Sequence, residues 1–215
     1  MQNPSTFPEK NTSFLLPGPA GQLEVMTALP DSIPLNGVGI ICHPDPRFDG
    51  SMHNKVVTTI ARALMDLGLA TVRFNFRGVG LSSGEYGETR GELADLNAVI
   101  TWVRSVLPTS PLWLAGFSFG SYISALAAQT ARPARLISVA PGVNRHPFQQ
   151  FTHHYSYPWL VVQGDQDEVV PCAQVQDWIA HLTQPPQLIV MPGASHFFHG
   201  QLIELREIIK KWALS

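Results

Sequence analysis

Short runs of consecutive apolar residues alternate along this chain with longer stretches in which apolar positions recur every three or four residues. The runs at 38–42, 70–76, 112–115, 135–140, 159–163 and 187–191 read as strands, and their nearly continuous apolar character is that of strands covered on both faces. Helical spacing appears in Val56, Val57, Ile60, Ala61, Leu64 and Leu67, stopped by Gly68, and again in Leu93, Leu96, Ile100, Val103 and Val106, closed by Pro108. Small helix-forming residues follow Ser118, and Leu202, Leu205, Ile208, Ile209 and Trp212 mark a closing helix. Near the start, the runs at 13–16 and 23–29 flank Pro17-Gly18-Pro19-Ala20-Gly21, a hairpin signal. Strand and helix in alternation predict an α/β fold, a mostly parallel twisted sheet with helices on both faces. Sites in such sheets lie at strand carboxyl ends, where the loops carrying His43, Ser118, 164–171 and His196 would open on one edge.

The length of 215 residues suits a single domain spanning 1–215, with the polar, proline-bearing residues 1–12 expected as a flexible extension. Formal net charge is -2 and charged residues make up 14%, against roughly 25% in an average domain. Neither a nucleic-acid footprint nor a basic membrane-binding surface is predicted, and a small-molecule substrate is favoured. The start of the chain lacks the apolar core of a signal peptide, and no apolar run is long enough to span a bilayer, so a cytoplasmic protein is expected, as monomer or homodimer. Cys42 and Cys172 are too few for a disulfide scaffold, and no converging ligand set predicts a metal or a cofactor. His153 and His154 lie in a polar stretch, and His196 and His199 have helical spacing without carboxylate or thiolate support. The glycine-rich stretch 77–84 does not fit the dinucleotide pattern G-x-G-x-x-G.

Gly116-Phe117-Ser118-Phe119-Gly120 fits G-x-S-x-G between strand and helix. A sharp turn at Ser118 demands residues without a Cβ two before and two after it, and the helix N-terminus favours negative charge beside the hydroxyl. A serine becomes a useful nucleophile when a base takes its proton and a third group orients the base. His196 is the well-placed histidine, after the last strand; Asp165, Asp167 and Glu168 all compete for the role of acid. His43 reads as a loop-shaping residue, and Cys42 as a small core residue.

With the order Ser, Asp, His, the chain resembles the α/β-hydrolase superfamily over nearly its whole length. Three stretches are similar to a group of small cap-less bacterial members: His43-Pro44-x-Pro46, the run at 50–57, and Arg73-Phe74-Asn75-Phe76-Arg77-Gly78-Val79-Gly80-x-Ser82. The resemblance implies that Asp167 is the acid, through G-x-x-D-x-x-h-P from Gly164 to Pro171, with Asp165 second. It implies oxyanion donors at the backbone N–H groups of Phe119 and Asp45, and no cap between 140 and 158. A carboxylate at position 45, where related sequences often carry histidine, must turn away from the oxyanion or weaken activity. The substrate pocket is expected from His43, Phe117, Phe148, Phe151 and Tyr155. The implied activity is hydrolysis of small carboxylic esters or thioesters by Ser118, His196 and Asp167. Peptidase, amidase or acyltransferase chemistry on the same residues, and a non-catalytic ligand-binding module, stay open as alternatives.

Overall fold

The computed structural model describes residues 4–31, 34–151 and 155–215. Eight strands form one sheet in the order β1-β2-β4-β3-β5-β6-β7-β8. β1 (Thr12–Gly18) and β2 (Gly21–Ala28) make the antiparallel hairpin at one edge, and β2 pairs antiparallel with β4 (Leu69–Phe74). From β4 through β3 (Gly37–Cys42), β5 (Leu112–Phe117), β6 (Arg135–Val139), β7 (Trp159–Gly164) and β8 (Gln187–Met191) every pairing is parallel. All residues of β3, β5 and β7 are buried, as continuous apolar runs in a two-faced parallel sheet require.

Two cores follow, one on each face. α1 (Lys55–Asp66) and α5 (Leu202–Leu214) cover one face through Ile60, Leu64, Leu205, Ile209 and Trp212. α2 (Arg90–Val106), α3 (Phe119–Ala131) and α4 (Cys172–Ala180) cover the other through Leu96, Val103, Ile123, Ala127 and Trp178. Asn54 starts α1 by accepting the Val56 N–H at 2.8 Å on its side-chain oxygen. Among the described residues no helix is long and apolar enough to cross a membrane.

Two expectations need adjustment, and one helix was not expected at all. The strand expected at 70–76 ends at Phe74, because the next residues turn their hydrogen bonds away from β3: the Asn75 side chain accepts the Met52 N–H (2.8 Å) and the Phe76 N–H goes to His43 Nε2 (3.0 Å). The segment expected as a free extension is partly packed: Phe7 stacks on Trp102 of α2, whose indole N–H donates to the Pro4 carbonyl at 3.1 Å. An aromatic residue in a polar leader finds an apolar partner on a helix far along the chain, a contact that no local pattern records. Finally, α4 carries no strong sequence signal. It has nine residues, buries only Val175, Trp178 and Ile179, and starts directly after the acidic loop at Pro171.

Candidate active site

Ser118 lies between β5 and α3 with φ 53° and ψ -114°, a conformation that side-chain-bearing residues rarely hold and that costs on the order of 1–3 kcal/mol. Its N–H donates to the Val139 carbonyl of β6 at 2.9 Å, which anchors the turn to the neighbouring strand. A Cβ on Gly116 would come within 2.1 Å of the Gly120 carbonyl oxygen, and one on Gly120 within 2.3 Å of the Cys42 carbonyl oxygen. The two glycines therefore let the turn close on itself and let α3 approach the end of β3. Ser121, in the first turn of the helix, bonds the Gly116 and Val139 carbonyls at 2.8 and 3.1 Å and ties the elbow down from behind.

The structure brings Ser118, His196 and Asp167 into one hydrogen-bonded chain. His196 Nε2 is 3.1 Å from Ser118 Oγ, and its Nδ1 is 2.8 Å from Asp167 Oδ2. Burial by itself would raise the Asp167 pKa, but hydrogen bonds from His196 and from the Val170 and Val169 N–H groups outweigh it and hold the group below the usual carboxylate range. An ionised carboxylate can only accept, so Nδ1 carries the proton and Nε2 is left to accept from the serine hydroxyl. Gln163 Nε2 donates to the same Asp167 Oδ2 at 2.9 Å, which fixes that oxygen from the strand side. His196 lies against the Phe117 ring, with ring centres 5.1 Å apart.

The three carboxylates of the loop after β7 divide the histidine loop among them. Asp167 takes the imidazole, Glu168 accepts the His196 backbone N–H at 3.1 Å, and Asp165 accepts the Gly193 N–H at 2.6 Å. Backbone bonds from Asp165 N to the Met191 carbonyl and from Gln166 N to the Ala194 carbonyl join the same two loops. Asp165 and Glu168 thus have partners of their own, and neither competes for the imidazole.

On the other side of Ser118, among the described residues the N–H groups of Phe119 and Asp45 have no protein acceptor. The Asp45 side chain forms a two-pronged pair with Arg47, Oδ2 to Nη2 at 2.7 Å and Oδ1 to Nε at 3.1 Å, and also accepts the Arg47 N–H at 2.9 Å. Its burial favours the neutral acid, yet these Arg47 contacts prevail and depress its pKa. The carboxylate feared as a repulsive neighbour is therefore neutralised by a residue two positions on.

Beside Ser118 and His196 opens a cleft of about 240 Å³, with Pro44, Asp45, Asp49, Gly50, Asn54 and Val169 along its base and sides. Its rim carries Phe48 and Phe197, which are 66% and 40% exposed, together with Arg145. The pocket residues expected from sequence are not here. His43 is fully buried, accepting the Phe76 N–H at 3.0 Å and donating to the Pro44 carbonyl at 2.6 Å, so it shapes the loop; Phe117 lies beneath His196. Phe148 is buried against Tyr122 and Trp178. Phe151 and Tyr155 line a separate cavity of about 200 Å³ with Arg132 and Trp159, near the C-terminus of α3 and the start of β7, at the opposite edge of the sheet. Aromatic residues between β6 and β7 gain more by packing against α3, α4 and Trp159 than by standing at the rim. His153 and His154 lie outside the described residues.

A solved structure from Coxiella burnetii described as an alpha-beta serine hydrolase homologue matches with 53% identity and a TM-score of 0.92, over 96% of this chain and 99% of that one. The chain belongs to the α/β-hydrolase superfamily. A second solved structure, from Xanthomonas campestris and described as an α/β serine hydrolase without lid, is 47% identical with a TM-score of 0.92 over 97% of this chain and 95% of that one. An uncharacterised protein of Rickettsia prowazekii is 32% identical over 208 residues, 92% of this chain and 87% of that protein. The family model described as serine aminopeptidase, S33, matches residues 50–153.

Among its described residues this α/β-hydrolase carries no cap. Between β6 and β7 the described residues contain only a short 3-10 turn, Phe148–Gln150, packed down on Tyr122 of α3. The rim residues were missed from sequence, although two left a trace: Phe48 and Phe197 are large apolar residues in loops that already carried Asp45 and His196. Arg145 left none.

Proposed function

We propose that this serine hydrolase cleaves small carboxylic esters or thioesters through an acyl-enzyme formed on Ser118. The observation that carries the reading is the unbroken relay from Asp167 through His196 to Ser118 Oγ beside an uncapped cleft. In that reading His196 Nε2 takes the hydroxyl proton as Ser118 Oγ attacks the carbonyl carbon, and the developing imidazolium is stabilised by Asp167. The oxyanion accepts from the Phe119 and Asp45 N–H groups, helped by the N-terminus of α3. His196 then returns the proton to the leaving alkoxide or thiolate, and a water molecule repeats the sequence on the acyl-enzyme to release the acid. The two exposed phenylalanines suit a modest acyl or alcohol group held without a closing lid.

Hydrolysis of a chain-length series of 4-nitrophenyl esters tests this directly. Wild type is expected to turn over short esters and to be labelled stoichiometrically by a fluorophosphonate, with Ser118→Ala reduced by about 10⁴-fold or more and unlabelled. A wild type that neither turns over nor is labelled refutes it and leaves a ligand-binding module. The description of the matching family model favours amide cleavage as a second reading on the same residues, and aminoacyl 4-nitroanilides assayed alongside the esters separate the two.

A further inference from the structure

Arg145 stands at the place where larger relatives of this architecture would begin a cap, on the turn that follows β6. Its own N–H and that of His146 both donate to the Gly142 carbonyl, at 3.1 and 3.0 Å, so the turn is held rigidly. The side chain reaches the cleft that contains Ser118 and His196, and its guanidinium lies over the Phe48 ring at 5.4 Å from the centroid. A cation–π contact of this kind holds the guanidinium beside the ring while its N–H donors stay available, and arginine donors can grip a carboxylate with two parallel hydrogen bonds.

The charges around it define what that donor edge would meet. Among the described residues lining the cleft, Arg145 is the one lysine or arginine, and it is in no ion pair. Asp45 is occupied by Arg47 on both oxygens, and Asp167 by His196 and its backbone donors. Asp49 is the remaining carboxylate; it lies exposed at the left-handed end of the Pro46–Phe48 turn. An unpaired cation on one side and a carboxylate on another would admit an anionic group in only one orientation.

Resting on the ester-hydrolase reading above, we infer that Arg145 is a specificity-determining residue that selects esters bearing a free carboxylate on the part of the substrate lying under Phe48. A carboxylate bound there has its charge met by the one free guanidinium of the cleft, whereas a neutral ester of the same length leaves it solvated and gains nothing from it.

The test compares 4-nitrophenyl monoesters of glutaric and adipic acid with the corresponding methyl-capped diesters, in wild type, Arg145→Ala and Arg145→Glu. The readout is the ratio of kcat/KM for acid over capped ester within each protein, so any general loss of activity or folding cancels. Wild type is expected to prefer the acid, and Arg145→Ala to lower the ratio by about tenfold, chiefly through KM for the acid. Arg145→Glu lowers it further. Raising the salt concentration narrows the wild-type preference toward the alanine variant's ratio. A wild type with no preference for the acid, or a ratio unchanged in Arg145→Ala while both esters are turned over, overturns the inference and leaves the hydrolase reading intact. No turnover of any ester together with no fluorophosphonate labelling overturns both.

Discussion

Ser118 keeps its positive φ only because the residues around it leave no alternative. Its N–H is held by Val139, the helix behind it is pinned by Ser121, and the glycines at 116 and 120 remove the atoms that would push the turn open. Gly120→Ala places a Cβ within 2.3 Å of one carbonyl oxygen and 2.6 Å of the next, both backbone atoms that cannot swing aside. The expected result is a loss of about 3 kcal/mol or more in urea unfolding, with Ser118 no longer labelled by a fluorophosphonate in whatever fraction stays folded. Gly193→Ala is the control: nothing lies within 4 Å of the added carbon, so only its positive φ penalises it, by about 1 kcal/mol.

At the scale of elements, the acid loop after β7 and the histidine loop after β8 behave as one unit. Two side-chain-to-backbone bonds, from Glu168 and Asp165, set the height of the histidine loop independently of the Asp167 contact to the ring. Glu168→Ala is expected to lower kcat by about tenfold with KM nearly unchanged, because a displaced imidazole affects proton transfer more than substrate binding. Glu168→Gln, which keeps an oxygen to accept the His196 N–H, restores most of that loss. Equal damage in both variants would assign Glu168 a role through its charge and not through this hydrogen bond. The elements themselves were largely legible, since apolar periodicity and proline or glycine stops mark β3, β6, β7 and β8 to within one residue at each end, the other strands to within two, and four of the five α-helices. β4 and α4 depart from that pattern for one reason: the end of β4 is set by where Asn75 and Phe76 find partners, and α4 is stabilised by Trp178 packing on Phe148 and Trp159, so both depend on distant residues.

For the molecule as a whole, buried histidines shape stability against pH. Burial lowers the His43 pKa to about 4, outweighing the raising effects of the Pro44 carbonyl and Asp45, so the folded protein holds this ring neutral. The unfolded chain takes up that proton near pH 6.5, so between about pH 6.5 and 4 it binds more protons than the folded state and stability falls as pH falls. His146, also lowered mainly by burial, acts in the same direction. The depressed carboxylates Asp45 and Asp167 contribute in a separate window, losing their stabilisation only as the pH drops below the ordinary aspartate range. Urea midpoints followed downward from pH 7 should therefore decline well before the carboxylates titrate, by on the order of 3 kcal/mol at most for His43. His43→Gln should be less stable at neutral pH and show a flatter slope across that window.

The sequence alone determined the fold class, the position of the strained serine and the loops that carry the acidic residues and His196, because each depends on local chemistry: periodic burial, turns that exclude a Cβ, and strands that end in loops on one edge; Asp167 was singled out only by the family resemblance. Residue spacing also left three carboxylates in contention, and three-dimensional contacts separated them, one on the imidazole and two on backbone N–H groups. The walls of the cleft were decided by tertiary structure. Phe48, Arg145 and Phe197 come from loops after β3, β6 and β8 and meet only because the sheet order sets those strand ends around β5, while the aromatic residues at 148, 151 and 155 were drawn into packing elsewhere. Which distant surfaces come together is set by the summed burial of the whole chain, a quantity that no short stretch of sequence contains.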